Sequence, residues 1–161
     1  MAPDYYVIIF AMDTRGENLW YVAGLAFECL QCGRCCAGPE EGYIWIEPAE
    51  IQRAATFLKI TPQQFADRYV RREGQGLTII ENRRHDCIFL SGPGKAPGCG
   101  GGRGCAIYEV RPMQCRTWPY WKFNLSSPDA WAFAASRCPG INRGPLHPME
   151  EILPKRDISP T

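Results

Sequence analysis

Residues 29–36 read Cys29-Leu30-Gln31-Cys32-Gly33-Arg34-Cys35-Cys36, which places four thiols within eight residues. A disulfide needs Cα atoms several ångströms apart and converging Cβ vectors, so thiols this crowded are poor disulfide partners for one another. They are well placed to surround a metal centre from a single turn of chain. The remaining cysteines lie far along the sequence, at Cys87, Cys99, Cys105, Cys115 and Cys138. We expect the fold to bring most of these five back to residues 29–36.

Length, charge and cysteine content exclude several classes of protein. A chain of 161 residues is long enough for one domain with its own core. Its 18 basic and 17 acidic residues give a net charge of +1, so nucleic acid or an acidic membrane surface is not expected as a partner. The longest apolar run, residues 5–12, is too short to cross a bilayer and follows no basic residue, so neither a signal peptide nor a transmembrane helix is expected. Nine cysteines without a secretory signal predict reduced, metal-bound thiols in the cytoplasm.

Turn and capping residues divide the chain into short elements. Apolar and aromatic runs over residues 4–12 and 19–27, with a polar turn between them, predict a hairpin. Proline at a first helical position predicts helices that begin at Pro48 and Pro62, and the second is expected to continue to Gly74. Further predictions are strands over 43–46 and 77–81, a helical turn that starts at Pro112, and a helix capped at Ser127 that ends before Cys138.

These elements predict a small, irregular α+β single domain, with short helices and strands organised around cysteine-ligated metal. We divide the chain into an N-terminal hairpin extension over residues 1–27, a cysteine-cluster metal-binding domain over residues 28–140, and a tail over residues 141–161. The tail contains four prolines and few apolar residues, so we expect it to be extended and loosely attached.

Two kinds of metal centre match the cysteine spacing, because thiolate is the metal-binding form in both. A [4Fe–4S] cluster often takes three thiols from C-x2-C-x2-C and a fourth from a distant cysteine followed by proline. Cys29, Cys32 and Cys35 supply such a triplet, and Cys138 precedes Pro139. Zinc takes cysteine pairs at C-x2-C spacing, and Cys29 and Cys32 form one. The triplet is the more discriminating feature, because a zinc knuckle uses only two of the three thiols.

Eight cysteines suffice for two four-thiolate sites. The neighbours Cys35 and Cys36 are expected to point in different directions and so to serve different sites. One predicted site consists of Cys29, Cys32, Cys35 and Cys138, and the other of Cys36, Cys87, Cys105 and Cys115. Cys99 is left out, because it stands between two glycines in a glycine-rich loop that would hold a ligand poorly. A protein with two zinc sites and the same ligands is the direct alternative.

Arg111 and Arg116, which bracket Cys115, are predicted to bind the cofactor. Four thiolates around Zn²⁺ or a [4Fe–4S]²⁺ core leave a net charge of about −2, which guanidinium donors to sulfur would compensate. The other charged residues near the thiols are expected to lie on the surface: Arg34, Arg103, Arg137, Arg143, His85 and His147. Four aromatic residues are predicted to pack as core that shields the centre from water, or to form a partner surface: Trp118, Tyr120, Trp121 and Phe123.

Four linked motifs carry a resemblance to a known group. They are Cys-x2-Cys-Gly-x-Cys-Cys from Cys29, Cys87-Ile-Phe-Leu, Cys105-Ala-Ile-Tyr-Glu-Val-Arg-Pro-Met-Gln-Cys115-Arg-Thr-Trp-Pro, and Cys138-Pro-Gly. Over roughly residues 27–140 the sequence resembles the YkgJ-type CxxCxxCC cysteine-cluster family, whose proposed role is to chelate zinc or iron. The resemblance implies that the eight cysteines other than Cys99 form the shared ligand set. Flagellin lysine N-methylases carry a related cysteine pattern. The hairpin before residue 27 and the loop around Cys99 depart from the family.

We therefore expect a cytoplasmic cysteine-cluster metal-binding protein of the iron–sulfur type, with one or two [4Fe–4S] clusters. It would serve electron transfer or support a redox or methyl-transfer enzyme, with another protein as its partner. The alternative is a structural zinc module that mediates protein–protein interaction. A third hypothesis is an enzyme whose metal keeps an open coordination position for substrate. The sequence identifies no catalytic residue, and neither nucleic acid nor a membrane is expected as a partner.

Overall fold

The computed structural model describes residues 11–12, 18–92 and 103–158, and Cys99 lies outside these ranges. Within them the chain is a small mixed α+β domain of short elements, as predicted. In chain order the elements are β1 (Ala11–Met12), β2 (Asn18–Leu19), β3 (Leu25–Phe27), β4 (Ile44–Trp45), α1 (Pro48–Leu58), α2 (Pro62–Tyr69), β5 (Val70–Glu73), β6 (Gly76–Ile79), α3 (Met113–Thr117), α4 (Pro128–Arg137), β7 (Ile141–His147) and α5 (Met149–Ile158). None of the helices in the described ranges is long and apolar enough to cross a membrane.

The strands form small antiparallel sheets. β6 lies between β4 and β5 in a three-stranded sheet, in which Ile79 faces Ile44 on one side and Val70 on the other. β1 pairs with β2 at the turn end of the predicted N-terminal hairpin, while residues 4–10 and 13–17 lie outside the described ranges. The predicted return strand over residues 19–27 is not continuous, because residues 20–23 form a turn and β3 pairs with β7 instead. β3 pairs with β7, which joins two segments more than a hundred residues apart in the sequence.

The helices begin where the capping residues predict. The Thr61 hydroxyl accepts the Gln64 N–H at 3.1 Å, and the Gln64 side chain accepts the Thr61 N–H at 2.9 Å, which completes a capping box at the start of α2. The Ser127 hydroxyl caps α4 in the same way, by accepting the Ala130 N–H. The predicted end of α2 at Gly74 is wrong. The helix ends at Tyr69, and Gly74 instead takes the left-handed conformation, with a φ of 54°, in the turn between β5 and β6.

Residues 141–158 form a strand and a helix, whereas the sequence predicts a loose, extended tail. β7 runs antiparallel to β3, with Leu25 opposite His147 and Phe27 opposite Ile141, and the register shifts between these pairs. A strand with such an irregularity can include residues that disfavour regular pairing, here Gly144 and Pro145. His147 was expected to be solvated but is half-buried, with its Nε2 3.1 Å from the Phe27 carbonyl. The prolines of this segment therefore interrupt regular pairing without preventing it.

The described residues form two apolar cores. The first core is built from residues near both ends of the described chain: Leu19, Tyr21, Leu25, Tyr120, Leu125, Trp131, Ala134, Ile141 and Ile152. The second core comes from the middle of the chain: Ile46, Ile51, Ala54, Ala55, Phe65, Ile79, Phe89 and Ile107. Cys138 packs against the first core, and Cys87 and Cys105 pack against the second. The cysteines therefore lie on elements that belong to both cores.

Candidate metal centre

The eight cysteines of the predicted ligand set line two cavities that share part of their walls. The smaller cavity, of about 90 Å³, is lined by the thiols of Cys29, Cys32, Cys35, Cys36, Cys105, Cys115 and Cys138. The larger cavity, of about 340 Å³, is lined by those of Cys35, Cys36, Cys87, Cys105, Cys115 and Cys138. Five thiols are common to both cavities and so lie where the two adjoin. All eight are free cysteines, with no disulfide among them.

The cysteine loop, residues 29–36, turns tightly because of Gly33. This glycine has a left-handed backbone, with a φ of 72°, and its carbonyl accepts the Cys36 N–H at 3.1 Å to close a short 3-10 helix. A Cβ atom built on Gly33 would lie 2.6 Å from Leu90 Cδ1 and 2.8 Å from the Arg103 carbonyl oxygen. The loop therefore packs directly against the chain on both sides of the glycine-rich segment.

Cys35 and Cys36 do not diverge as expected from their adjacent positions. Their Sγ atoms lie 3.8 Å apart, within hydrogen-bonding range for sulfur. The expectation assumed ordinary strand or helix geometry, whereas the tight 3-10 turn over Arg34–Cys36 brings both side chains to the same side. The two sulfur atoms therefore share one region of the site.

Backbone hydrogen bonds fix Cys87 and Cys105 against the cysteine loop. The Cys87 N–H donates to the Cys36 carbonyl at 2.8 Å. Cys105 forms an antiparallel bridge with Leu90, which follows Cys87 by one turn. Two distant cysteines are thus placed by main-chain contacts, which do not depend on side-chain identity.

The Asp86 side chain, which is nearly fully buried, connects the segment after the cysteine loop with the segments that precede Cys87 and Cys105. Its carboxylate accepts the Gly38 N–H at 3.2 Å and the Asn82 amide at 3.2 Å, and it pairs with the Arg103 guanidinium at 3.0 Å. The hydrogen bonds from Arg103 and Asn82 lower the pKa of Asp86, so the carboxylate is charged near neutral pH. Arg103, predicted as a surface residue, therefore has a structural partner.

Cys115 and Cys138 are placed by α3 and by the end of α4. The Trp118 indole N–H donates to Cys138 Sγ at 3.4 Å. The Glu28 N–H donates to the Gly140 carbonyl at 3.1 Å, which brings the residues next to Cys29 alongside those next to Cys138. Cys29 and Cys138, 109 positions apart in the sequence, accordingly line the same small cavity.

Burial favours the neutral form of the thiols of Cys87, Cys105 and Cys115. It raises the pKa of Cys87 to about 12 and also raises the pKa values of Cys105 and Cys115. Cys35 behaves differently: the hydrogen bond from the Cys36 thiol, helped by the positive charge of Arg111, lowers the pKa of Cys35 to about 7. A bound cation would reverse the effect of burial, because it stabilises thiolate directly.

The thiols surround a space and do not already converge on one point. Within the described ranges, no three histidine, cysteine, aspartate or glutamate side chains are grouped closely enough to hold a single metal ion. The chemistry of the donor set still fits a metal centre, because eight sulfur ligands face two adjoining cavities. Their number and type are those of two four-thiolate sites.

The two arginines predicted to bind the cofactor both reach the smaller cavity. Arg111 stacks over the Tyr108 ring, 3.7 Å from its centroid, and donates to the Tyr108 carbonyl at 3.0 Å. Arg116 donates to the Arg111 carbonyl at 2.8 Å. Arg34 lines both cavities, and within the described part of the chain no side chain pairs with it. Positive charge therefore lies beside the thiols, while a direct role in binding a cofactor stays a prediction.

The sequence did not indicate most of the apolar residues that line the larger cavity. Four aromatic residues were predicted either to shield the centre as core or to form a partner surface. Trp118, Trp121 and Phe123 line this cavity, whereas Tyr120 is buried in the first core. Phe123 is 70% exposed and so does not belong to the core. The additional lining residues come from separate elements: Ile44, Ile79, Phe89, Ile107 and Phe133. No local pattern in the sequence could have grouped them, because their proximity depends on the pairing of β4 with β6 and on the position of α4.

Comparisons with known proteins find sequence similarity over most of the chain. The sequence model of the CxxCxxCC family, described as "Putative zinc- or iron-chelating domain", matches residues 28–139. The chain is 32% identical over 100 residues to the uncharacterized protein MJ0661 of Methanocaldococcus jannaschii. That alignment covers 62% of this chain and 48% of the relative, so the chain spans about half the length of this curated relative. No solved structure matches the chain.

Proposed function

The chain belongs to the CxxCxxCC family, and from this premise we propose that it binds iron–sulfur clusters and transfers electrons. Cys29, Cys32, Cys35 and Cys138 would hold one [4Fe–4S] cluster. Cys36, Cys87, Cys105 and Cys115 would hold a second. Such clusters supply one-electron chemistry when bound.

The space between the thiols is the observation that carries this proposal. Zinc draws four sulfur atoms to about 2.3 Å from a single point. A cluster of four irons and four sulfides has a volume of its own and needs room between its ligands. The four cysteines assigned to the first cluster all line the 90 Å³ cavity, so there is room between them for more than a single ion. This arrangement supports a cluster over a single ion.

Electrostatic interactions show that the other four thiols lie close to one another and also close to Cys35. Burial and the thiols of Cys87, Cys35 and Cys105 raise the pKa of Cys115. The hydrogen bond with Cys35, burial, and the thiols of Cys87 and Cys115 raise the pKa of Cys36. Groups that influence one another in this way lie close together. All four line the larger cavity.

The surroundings of the thiols suit a redox role. The Trp118 N–H donates to Cys138 Sγ, and Arg111 places a positive charge beside both cavities. Hydrogen bonds and positive charge near sulfur stabilise the reduced, more negative state and so raise a reduction potential. We propose that the protein works in the cytoplasm with a protein partner, as an electron carrier or in support of a redox or methyl-transfer enzyme.

Metal and sulfide analysis of anaerobically purified protein tests this proposal. We expect iron and acid-labile sulfide in equal amounts, a broad visible absorbance, and a paramagnetic resonance signal after reduction with dithionite. Stoichiometric zinc in a colourless protein without sulfide would overturn it.

A structural zinc module is the second candidate, and one distance favours it. The Sγ atoms of Cys35 and Cys36 lie 3.8 Å apart, which is about the spacing of two sulfur ligands on one tetrahedral zinc. In this case the two thiols bind the same ion, and the protein surface mediates interaction with a partner.

The variants Cys35→Ser and Cys36→Ser separate the two candidates. If the thiols serve different clusters, each variant keeps about half of the iron, and the remaining cluster differs between them in its spectrum. If they share one zinc ion, both variants lose the same ion and keep identical remaining sites. Metal content and spectra of the two variants, prepared side by side, give the answer.

A further inference from the structure

We propose that Asp86 and Glu50 are positioning residues for the second centre, the four thiols that would hold the second cluster. The inference rests on the proposed function only in treating those four thiols as one centre, and it does not depend on which metal they bind. Among the described residues, these are the two acidic residues that are buried, at 6% and 7% exposed. Burial of a carboxylate is costly unless hydrogen bonds compensate it, so such a residue needs a structural or functional reason.

Asp86 directly precedes Cys87 and holds two other segments of the site. Its carboxylate accepts the Gly38 N–H at 3.2 Å, in the segment that follows the cysteine loop. It also accepts a hydrogen bond at 3.0 Å from Arg103, which lies two residues before Cys105. Three of the four cysteines of the second centre therefore lie within two residues of a group that this carboxylate contacts or carries.

Glu50 holds the segment of the fourth cysteine. One oxygen of its carboxylate accepts the Met113 N–H at 2.7 Å, at the start of α3, which carries Cys115. The other oxygen accepts the Glu47 N–H at 2.9 Å, in the capping box of α1. Glu50 therefore joins α3 to the start of α1, a helix that packs in the second core.

The segments of the first centre meet through different contacts. The Glu28 N–H next to Cys29 donates to the carbonyl of Gly140, two residues after Cys138, at 3.1 Å. The pairing of β3 with β7 continues this contact. In the described structure, the hydrogen bonds of the two buried carboxylates go to other segments. Loss of either carboxylate should therefore affect the second centre more than the first.

Fixed segments matter because a metal centre needs all of its ligands at the same time. The main-chain contact between Cys87 and Cys36, at 2.8 Å, is a single hydrogen bond, and the Asp86 carboxylate reinforces it from the side. Groups that hold ligands in place change metal affinity by about 10- to 100-fold when they are removed. We expect an effect of this size at the second centre.

Alkylation of the anaerobically purified, metal-containing protein tests the inference, because bound metal protects a thiolate from iodoacetamide. Peptide mass spectrometry gives the labelling rate of each cysteine. Arg103→Gln removes the cation but leaves the buried carboxylate in place. In this variant we expect Cys87 and Cys105 to be labelled about tenfold faster, because the second centre loses metal. Cys29 and Cys138 should keep the rates of the unmodified protein.

Two further arginine variants show whether the ion pair is responsible. Arg103→Lys should retain protection, because it keeps a positive charge within reach of the Asp86 carboxylate. Arg71→Gln is the matched control, since Arg71 pairs with Glu41 at 2.9 Å and has a similar exposure, 38% against 41% for Arg103. No cysteine is a sequence neighbour of either partner in this control pair. Its labelling should equal that of the unmodified protein.

Glu50→Gln tests the second carboxylate independently. The amide keeps one acceptor oxygen where the carboxylate uses two, so either the α1 contact or the α3 contact is lost. Cys115 should be labelled about tenfold faster, and Cys29 should be unchanged. Asp67→Asn is the control, because Asp67 is exposed and accepts a hydrogen bond from Gln63 within α2.

The inference is overturned if Arg103→Gln or Glu50→Gln labels no cysteine faster, or if Cys29 and Cys138 are labelled as fast as the cysteines of the second centre. It is also overturned if Arg103→Lys behaves like Arg103→Gln, or if a control variant has the effect of the variant it controls. Metal analysis of the unmodified protein decides the proposed function separately. Zinc-containing protein with selective labelling would overturn only the iron–sulfur proposal, and iron-containing protein with uniform or unchanged labelling would overturn only the positioning role.

Discussion

At the scale of single residues, Gly33 determines whether the cysteine loop can close. Its left-handed φ of 72° disfavours any residue with a Cβ, and a Cβ there would also meet the Leu90 side chain and the Arg103 carbonyl. Gly33→Ala should therefore lower the free energy of unfolding by about 3 kcal/mol, from backbone strain and overpacking combined. Urea denaturation of the metal-containing protein measures the change.

Gly74→Ala is the control for this prediction, because Gly74 also has a positive φ, of 54°, but a Cβ added there would meet no atom within 4 Å. Gly74→Ala should lower the free energy of unfolding by about 1 kcal/mol, from backbone strain alone. Equal losses at the two positions would show that the close packing of Gly33 is unimportant.

Trp118 is predicted to tune the metal through its hydrogen bond to Cys138. Trp118→Phe removes the indole N–H, 3.4 Å from the sulfur, while it keeps an aromatic ring at that position. Loss of a donor to a ligand should weaken metal retention against a competing chelator by about tenfold, and it should lower the reduction potential of a cluster. Chelator competition and potentiometry are the two measurements.

Trp121→Phe provides the comparison for Trp118→Phe. The Trp121 indole N–H donates to the Gln114 carbonyl at 3.0 Å and lies 3.2 Å from the Thr117 hydroxyl, so its donor is directed at oxygen and not at sulfur. Metal retention should be unchanged in this variant. If both variants release metal equally fast, the effect comes from packing and not from the donor to Cys138.

The eight cysteines that the sequence and the family resemblance assign as ligands line the two cavities, while their binding of metal stays a prediction. Spacing and residue type say less about how the thiols are grouped. They were not enough to predict that Cys35 and Cys36 lie side by side, because that contact depends on a 3-10 turn that starts at Gly33. The 3-10 conformation of Arg34–Cys36 therefore points the Cys35 and Cys36 thiols to the same side, where divergent directions were expected.

At the scale of elements, local signals predicted the helices and missed the long-range strand pairing. The caps at Thr61 and Ser127 act within three residues, so they can be recognised in the sequence. β7 has no such signal. Its partner β3 lies more than a hundred residues earlier, and its glycine and proline suggested an irregular tail. Pairing at that distance depends on the packed cores and not on local propensity.

The helix α5 offers a direct test of how firmly the C-terminal segment is attached. Ile152 is fully buried in the first core, whereas Ile158, on the same helix, is 58% exposed. Ile152→Ala should lower the free energy of unfolding by about 3 kcal/mol, because it leaves a cavity in the core. Ile158→Ala should change it by less than about 0.5 kcal/mol. Urea denaturation of both variants decides the matter, and equal effects would support the loose tail that the sequence suggested.

At the scale of the whole molecule, the cysteines connect the two apolar cores. Cys138 packs against the first core, while Cys87 and Cys105 pack against the second. Main-chain contacts help to bring these elements together, as between Cys87 and Cys36 or between Glu28 and Gly140. A metal centre bound by cysteines from both regions would add a strong link between two cores that are each small. Binding free energy would then also be folding free energy.

Removal of the metal should therefore loosen the connection between the cores. With metal bound, we expect one cooperative thermal transition, and after chelation a lower melting temperature with separate transitions for the two cores. Hydrogen exchange resolves them, because α1 and α2 report on the second core and α4 on the first. Cys32→Ser should lower the melting temperature as chelation does, because Cys32 is a predicted ligand that lines the smaller cavity. Cys99→Ser should leave it unchanged, since Cys99 is excluded from the predicted ligand set. Identical melting curves with and without metal would show that the cores are joined by apolar packing alone.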